Sequence, residues 1–162
     1  MAVLPIVIYP DKRLETKTTP VDEITAEVLT LLDDMYETML ANDGIGIAAP
    51  QVGSNLRIAI VEMDEESGLI EMINPVVHSE KGKDVDIEGC LSFPEIYGTV
   101  ERAYEVVVRY FDREGQEIEI EADDYLARAL LHEIEHLEGQ LFTDKIIERI
   151  DPSELEAYME ED

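Results

Sequence analysis

The sequence predicts an α+β fold. Two stretches carry apolar residues at three- and four-residue steps, as amphipathic helices do. Between them, short β-branched runs alternate and are joined by hairpin turns, not by regular βαβ repeats. The chain has 162 residues, and 45% of them are hydrophobic. One domain spanning 1–162 is expected, and about 70% of the unfolded surface is buried at this length, enough for a core without staples. The single cysteine excludes an intramolecular disulfide.

The elements follow in chain order. The apolar run Val3 to Tyr9 contains Pro5 and is closed by Pro10, with no basic start, so it does not read as a secretory signal. Asp22 to Asn42 reads as a helix on the stripe Ile24, Val28, Leu31, Leu32, Met35 and Met39, stopped by Asp43-Gly44. Gly44 to Gln51 is too glycine-rich for a good helix and too apolar for an ordinary loop. Arg57 to Glu62 and Leu69 to Ile73 read as strands, the second ended by Asn74-Pro75. Val76 to Lys83 carries a weaker strand signal.

Val100 to Phe111 reads as a strand. Near its end Val106, Val108 and Tyr110 share one face, with Val107, Arg109 and Phe111 on the other. A turn at Asp112 to Gly115 returns it to Gln116–Glu121, where acids alternate with isoleucine, so the hairpin has one wet face. Asp123 to Leu137 reads as the second helix, stopped by Gly139. Pro152 to Met159 reads as a short C-terminal helix with Asp151 as cap and Glu154 as its reciprocal partner.

Charge excludes some functions. There are 39 acidic and 12 basic residues, a net charge of −27. Nucleic-acid backbones and anionic membrane surfaces both need a basic face, so neither is an expected partner. No segment approaches the ~20 apolar residues of a membrane-spanning helix. The expectation is a cytoplasmic protein in a reducing compartment. The acids crowd apparent solvent faces (Asp64-Glu65-Glu66; Glu117, Glu119 and Glu121; the tail), and five of the 12 basic residues are lysine. Such a surface is expected of a protein working in concentrated salt, where screening suppresses self-repulsion.

Three segments could carry chemistry. In His132-Glu133-Ile134-Glu135-His136 the two histidines stand at i and i+4, so both imidazoles can reach one metal from one helix face. Glu133 beside the first histidine is then placed as a general base. The plainer reading is a solvated helical patch, but Leu126, Ala129, Leu130 and Leu137 make this a largely buried helix, where such groups need partners. A catalytic site wants a third ligand. Glu138, Asp144 and Glu148 are downstream candidates; Cys90, in Glu88-Gly89-Cys90-Leu91-Ser92, is the upstream one. A lone cysteine is more commonly a small buried hydrophobe, and a nucleophilic role is a rival. The third segment is Gly44 to Gln51. Its glycines let a substrate backbone approach, and Gln51 could donate to an oxyanion, though a tight apolar turn explains it equally well.

Taken in order, Gly44 to Gln51, Glu88 to Ser92 and His132 to His136 resemble the three motifs of the peptide deformylase family, in its type 1, bacterial branch. The likeness runs from Tyr9-Pro10-Asp11 through Leu141-Phe142. It implies antiparallel sheets packed around a central metal-binding helix. Cys90, His132 and His136 would be the metal ligands and Glu133 the general base and acid. Gln51 and the Leu91 N–H would hold the oxyanion; Ile45, Gly46 and Ala129 would bind the peptide and its methionine side chain. The implied reaction removes the N-formyl group from N-formyl-methionyl nascent peptides at the ribosome. The implied cofactor is iron(II), with zinc or nickel able to replace it, in a monomer. The third motif departs from the family's Gln-His-Glu-x-Asp-His at Leu131 and Glu135, so an outer hydrogen bond is expected to be rearranged. A zinc metallopeptidase using the same helix, or a non-catalytic metal-binding homologue, are the alternatives.

Overall fold

The computed structural model describes residues 2–155. Helix α1 (Ala26–Ala41) opens at Thr25, whose hydroxyl accepts the Val28 N–H. The helix therefore starts four residues later than its apolar stripe suggests, because a capping hydroxyl fixes the first turn. Eight strands follow the pattern β1 (Gly46–Ala48), β2 (Ile58–Glu62), β3 (Leu69–Lys81), β4 (Asp84–Cys90), β5 (Phe93–Arg102), β6 (Glu105–Phe111), β7 (Glu117–Asp123) and β8 (Ile146–Ile150). Helix α2 (Asp124–Leu137) separates β7 from β8.

All named pairings are antiparallel and form two sheets, β1-β2-β3-β6-β7 and β4-β5-β8. The first sheet is sandwiched where β1, β2 and the start of β3 lie. Ile47, Ile58, Ile60 and Ile73 pack with Leu32, Met35 and Met39 of α1. The alternate positions Ala48, Ala59, Val61 and Met72 pack with Leu130, Ile134 and Leu137 of α2. Small residues on the second face let α2 approach closely. Val106, Val108 and Tyr110 are buried on the α2 side, and Glu117, Glu119 and Glu121 stand in solvent, as the alternation predicts. A third cluster (Leu14, Phe93, Val100, Leu141, Phe142) joins the smaller sheet to the N-terminal segment and to the segment that follows α2.

Three sequence expectations change. Asn74-Pro75 does not end a strand: β3 continues to Lys81 through a bulge between Ile73 and Val76. Asn74 adopts φ 55°, and its side chain bonds both the Val21 N–H and the Val21 carbonyl at 2.8 Å. A bulge accepts proline where a regular central strand would not. Secondly, Val100 to Phe111 is two strands in different sheets, broken at Ala103-Tyr104; a continuous β pattern cannot reveal a sheet switch. Thirdly, β4 and β8 were not expected: β4 alternates only through Val85 and Ile87 among acids, and β8 (Ile146–Ile150) does not alternate. The C-terminal helix expected at Pro152 to Met159 lies mostly outside the described residues. Its start is a 3-10 turn at Pro152–Glu154, with Asp151 accepting from the Ser153 N–H.

The bulge gives a first prediction. Asn74→Ala removes both bonds to Val21 and keeps a positive φ without the side chain that tolerates it, so it is expected to destabilise by about 2–3 kcal/mol. Urea unfolding checks this; an unchanged midpoint would contradict it.

Candidate active site

Helix α2 is buried along most of its length, with Leu130, Leu131, His132, Glu133, Ile134, His136 and Leu137 all buried. Its i and i+4 histidines face the end of β4, where Cys90 is the last residue. One donor atom from each of Cys90, His132 and His136 lies within 4.8 Å of the others. Cys90 Sγ is 3.3 Å from His136 Nε2. The upstream cysteine is thus brought to the helix, and Glu138, Asp144 and Glu148 are not part of this group. Glu138 instead pairs with Arg57 at 2.8 Å.

Glu88 orders the site from behind. Its Oε1 lies 2.8 Å from His132 Nδ1, which leaves Nε2 to face Cys90. Arg102 donates to both Glu88 oxygens, at 2.6 and 2.8 Å, and Arg128 donates to Oε2 at 2.6 Å. Burial alone would raise the Glu88 carboxyl; the bonds from His132 and Arg102 hold it well below its ordinary range. Burial also opposes charging His132, yet hydrogen bonds with Cys90 and Glu88 raise it well above the usual value. His136 moves the other way, pushed down by burial and by the charge on His132. Its Nδ1 and the Oε1 of Glu133 are buried with no hydrogen-bond partner.

Glu133 is held where a base is useful. Burial raises its carboxyl to about 7, the range in which one group can both take and give a proton near neutrality. The glycine at 46 makes room for it: a Cβ there would sit 2.6 Å from Glu133 Oε2. Gln51 is buried at the other side. Its Oε1 accepts the Ala48 N–H at 2.9 Å, which turns Nε2 toward Ser92 Oγ (3.2 Å) and Cys90 Sγ (3.5 Å). A cleft of about 420 Å³ is lined by Ile45, Gly46, Gln51, Cys90, Leu91, Ala129, His132 and Glu133 among others. One wall is β1, the edge strand of its sheet.

Residues 3–151 match the family described as polypeptide deformylase. The chain belongs to that family. Peptide deformylase 1 of Bacillus cereus is 48% identical over 156 residues, covering 96% of this chain and all of that one. Peptide deformylase of Caldanaerobacter subterraneus is 49% identical over 160 residues, 99% of each chain. Among solved structures, the Thermotoga maritima peptide deformylase aligns with a TM-score of 0.87 at 35% identity, covering 90% of this chain and 99% of that one. A Synechococcus elongatus peptide deformylase in complex with actinonin aligns at 0.85 and 34% identity, covering 98% and 85%. Family membership bears out the expected α+β fold of antiparallel sheets around α2.

The two departures from the family motif have separate outcomes. Leu131 packs into the core between α2 and the larger sheet. Glu135 turns away from the cleft, accepting from Arg102 Nη1 at 2.8 Å and pairing with Lys145. Arg102 and Arg128 were not singled out in the sequence. Arg128 left a signal, standing four residues before His132 on the same helix face. Arg102 left none, because it stands opposite Asp84 in the β4–β5 register and only its folded side chain reaches Glu88.

The close approach at Gly46 is testable. Gly46→Ala should displace the Glu133 carboxylate by roughly 1 Å, which commonly costs about 100-fold in rate. Zinc binding should be retained. A rate equal to the parent's would show that Glu133 is free to move.

Proposed function

We propose that the chain hydrolyses the N-formyl group of N-formyl-methionyl peptides, releasing formate and a free amino terminus. Its family supports this reaction. Within the fold, the observation that carries it is the buried Glu133 carboxylate, with Oε1 unpartnered, in the cleft that also holds Cys90 and His132. A zinc metallopeptidase is not favoured, since the family match covers nearly the whole chain.

Cys90, His132 and His136 fit a divalent cation. A thiolate and two imidazoles are a soft-to-borderline donor set, their donor atoms converge, and the second histidine nitrogen on His132 is anchored by Glu88. When bound there, the cation acts as a Lewis acid and lowers the pKa of water beside it. Iron(II) is the ion proposed in the cell, with zinc or nickel able to use the same donors.

The remaining chemistry belongs to the chain. Glu133 takes a proton from the attacking water and delivers it to the departing amine. The Gln51 amide and the Leu91 N–H donate to the formyl oxygen as it gains negative charge. Gln51 needs no reorganisation, because Ala48 and Ser92 already hold it. The β1 edge around Ile45-Gly46 aligns the peptide as an added strand, and Ile45 and Ala129 line space for the methionine side chain. A site that closes on the hydrogen of a formyl group excludes the methyl of an acetyl group.

The substrate's proposed source is nascent chains at the ribosome, met in the cytoplasm by a monomer acting as one catalytic domain without direct contact to nucleic acid. None of the helices among the described residues is long and apolar enough to cross a membrane.

Protein loaded with iron(II) under anaerobic conditions is expected to release formate from formyl-Met-Ala-Ser and to leave casein intact. Stripping the metal with a chelator should abolish release, and adding iron(II), nickel or zinc back should restore it. Actinonin should inhibit. Absence of formate from the loaded protein would refute the proposal.

A further inference from the structure

Glu135 sits on α2 between Glu133 and His136, yet its side chain leaves the cleft on the far side. It bonds Arg102 Nη1 at 2.8 Å through Oε1 and Lys145 through Oε2. Arg102, 2% exposed, meets the two Glu88 oxygens through Nε and Nη2. Glu88 Oε1 in turn holds His132 Nδ1. A continuous chain of charged contacts therefore runs from the surface residue Lys145, 44% exposed, through Glu135, Arg102 and Glu88 to the back of His132. A separate cavity of about 330 Å³, lined by Lys81, Lys83, Arg102, Glu135 and Lys145 among others, opens beside its outer end.

Two features of this chain matter to a cation at the cleft. The first is geometry. A guanidinium is planar, so fixing Nη1 fixes the plane in which Nε and Nη2 meet Glu88. The second is charge. Arg102 and Arg128 place two buried positive charges behind His132, and Glu88 can balance one. Asp84 lies 3.3 Å from Arg128 and is 37% exposed. Glu135 supplies the counter-charge on the Arg102 side. Without it Arg102 would keep only its share of Glu88, and its uncompensated positive charge would lie behind Glu88 and His132, in surroundings that screen weakly toward an incoming dication.

We propose that Glu135 is a positioning residue of the metal centre: through Arg102 and Glu88 it holds His132 in its ligating orientation and supplies the counter-charge that lets a dication stay. Lys145 draws on the same carboxylate from outside and weakens that support. The inference rests on the reading of Cys90, His132 and His136 as metal ligands.

The test measures zinc affinity by competition with a chromophoric chelator, with melting of the metal-free proteins followed in parallel. Glu135→Gln keeps the shape and removes the charge, and should lower zinc affinity about ten- to a hundredfold, the usual scale for partners of metal ligands. Glu135→Asp keeps the charge and should recover most of that loss. Lys145→Ala should bind zinc as tightly as the parent or more tightly. Parent-like affinity in Glu135→Gln, or equal losses in Glu135→Gln and Glu135→Asp, would overturn the proposal. So would a loss in Lys145→Ala matching that of Glu135→Gln, since the bridge would then be merely structural. Lys145 is exposed enough for its variant to fold whatever Glu135→Gln does. A parent that binds no zinc would instead overturn the ligand assignment itself.

Discussion

Glu133→Ala is expected to lower formate release by about 10²–10⁴-fold while zinc content stays at the parent level. That range corresponds to roughly 3–5.5 kcal/mol of transition-state stabilisation. The expectation follows from where the carboxylate sits. It is buried, its Oε1 has no partner in the resting protein, and Gly46 leaves a gap of the right size against it. A structural carboxylate at that depth would be paired, as Glu88 is. The group is raised to about 7 chiefly by burial, so it can hold a proton between two steps near neutrality. The control is metal analysis of the variant. Loss of metal together with activity would mean that Glu133 serves the donor set and not the proton. Undiminished release in the variant would remove Glu133 from the mechanism.

Glu88→Gln is expected to have the largest effect on stability. Among the described residues its carboxylate is the only group that Arg102 and Arg128 share, and it also anchors His132. Removing the charge leaves two buried guanidiniums short of a counter-ion, which costs about 3–5 kcal/mol when one partner of a buried pair is removed. For a chain of this size that lowers the melting temperature by about 10 °C. The pH dependence has a definite sign. Burial would raise the Glu88 carboxyl, but the bonds from His132 and Arg102 hold it below its ordinary 4.5. A carboxyl depressed by folding contributes its full stability above the unfolded value and loses it as pH falls toward the folded one. On the acid side, the gap in unfolding free energy between parent and Glu88→Gln should therefore shrink as pH falls below 4.5. A gap that widened in acid would reverse the argument.

Much of the site was legible because its chemistry is local in sequence. The i, i+4 spacing of His132 and His136 fixes a shared face on any helix, and Glu133 follows from adjacency. Gly46 and Gln51 were singled out for residue type, Ile45, Leu91 and Ala129 through the family resemblance, and the structure places all five around one cleft. The electrostatic support was much less visible. Arg102, Glu88 and Glu135 are brought together across strands and a helix, 14 to 47 positions apart. Charged residues on a sequence otherwise crowded with acids give no sign of which ones are buried.

Cys90 stood out over Glu138, Asp144 and Glu148 as third ligand only through the family resemblance. By itself, the sequence determined α1 and α2, the wet and dry faces of the β6–β7 hairpin, and the shared face of His132 and His136. These depend on periodicity and short-range spacing, which survive without knowledge of the fold. Tertiary structure decided the rest. It continued β3 past Asn74-Pro75 because the Asn74 side chain satisfies Val21 and stabilises a bulge. It divided Val100 to Phe111 between two sheets, since each half finds a different partner strand. Finally, it set the environment of the site: Arg102 stands opposite Asp84 in the β4–β5 register, its guanidinium reaches along the strand to Glu88, and Glu88 in turn bonds His132.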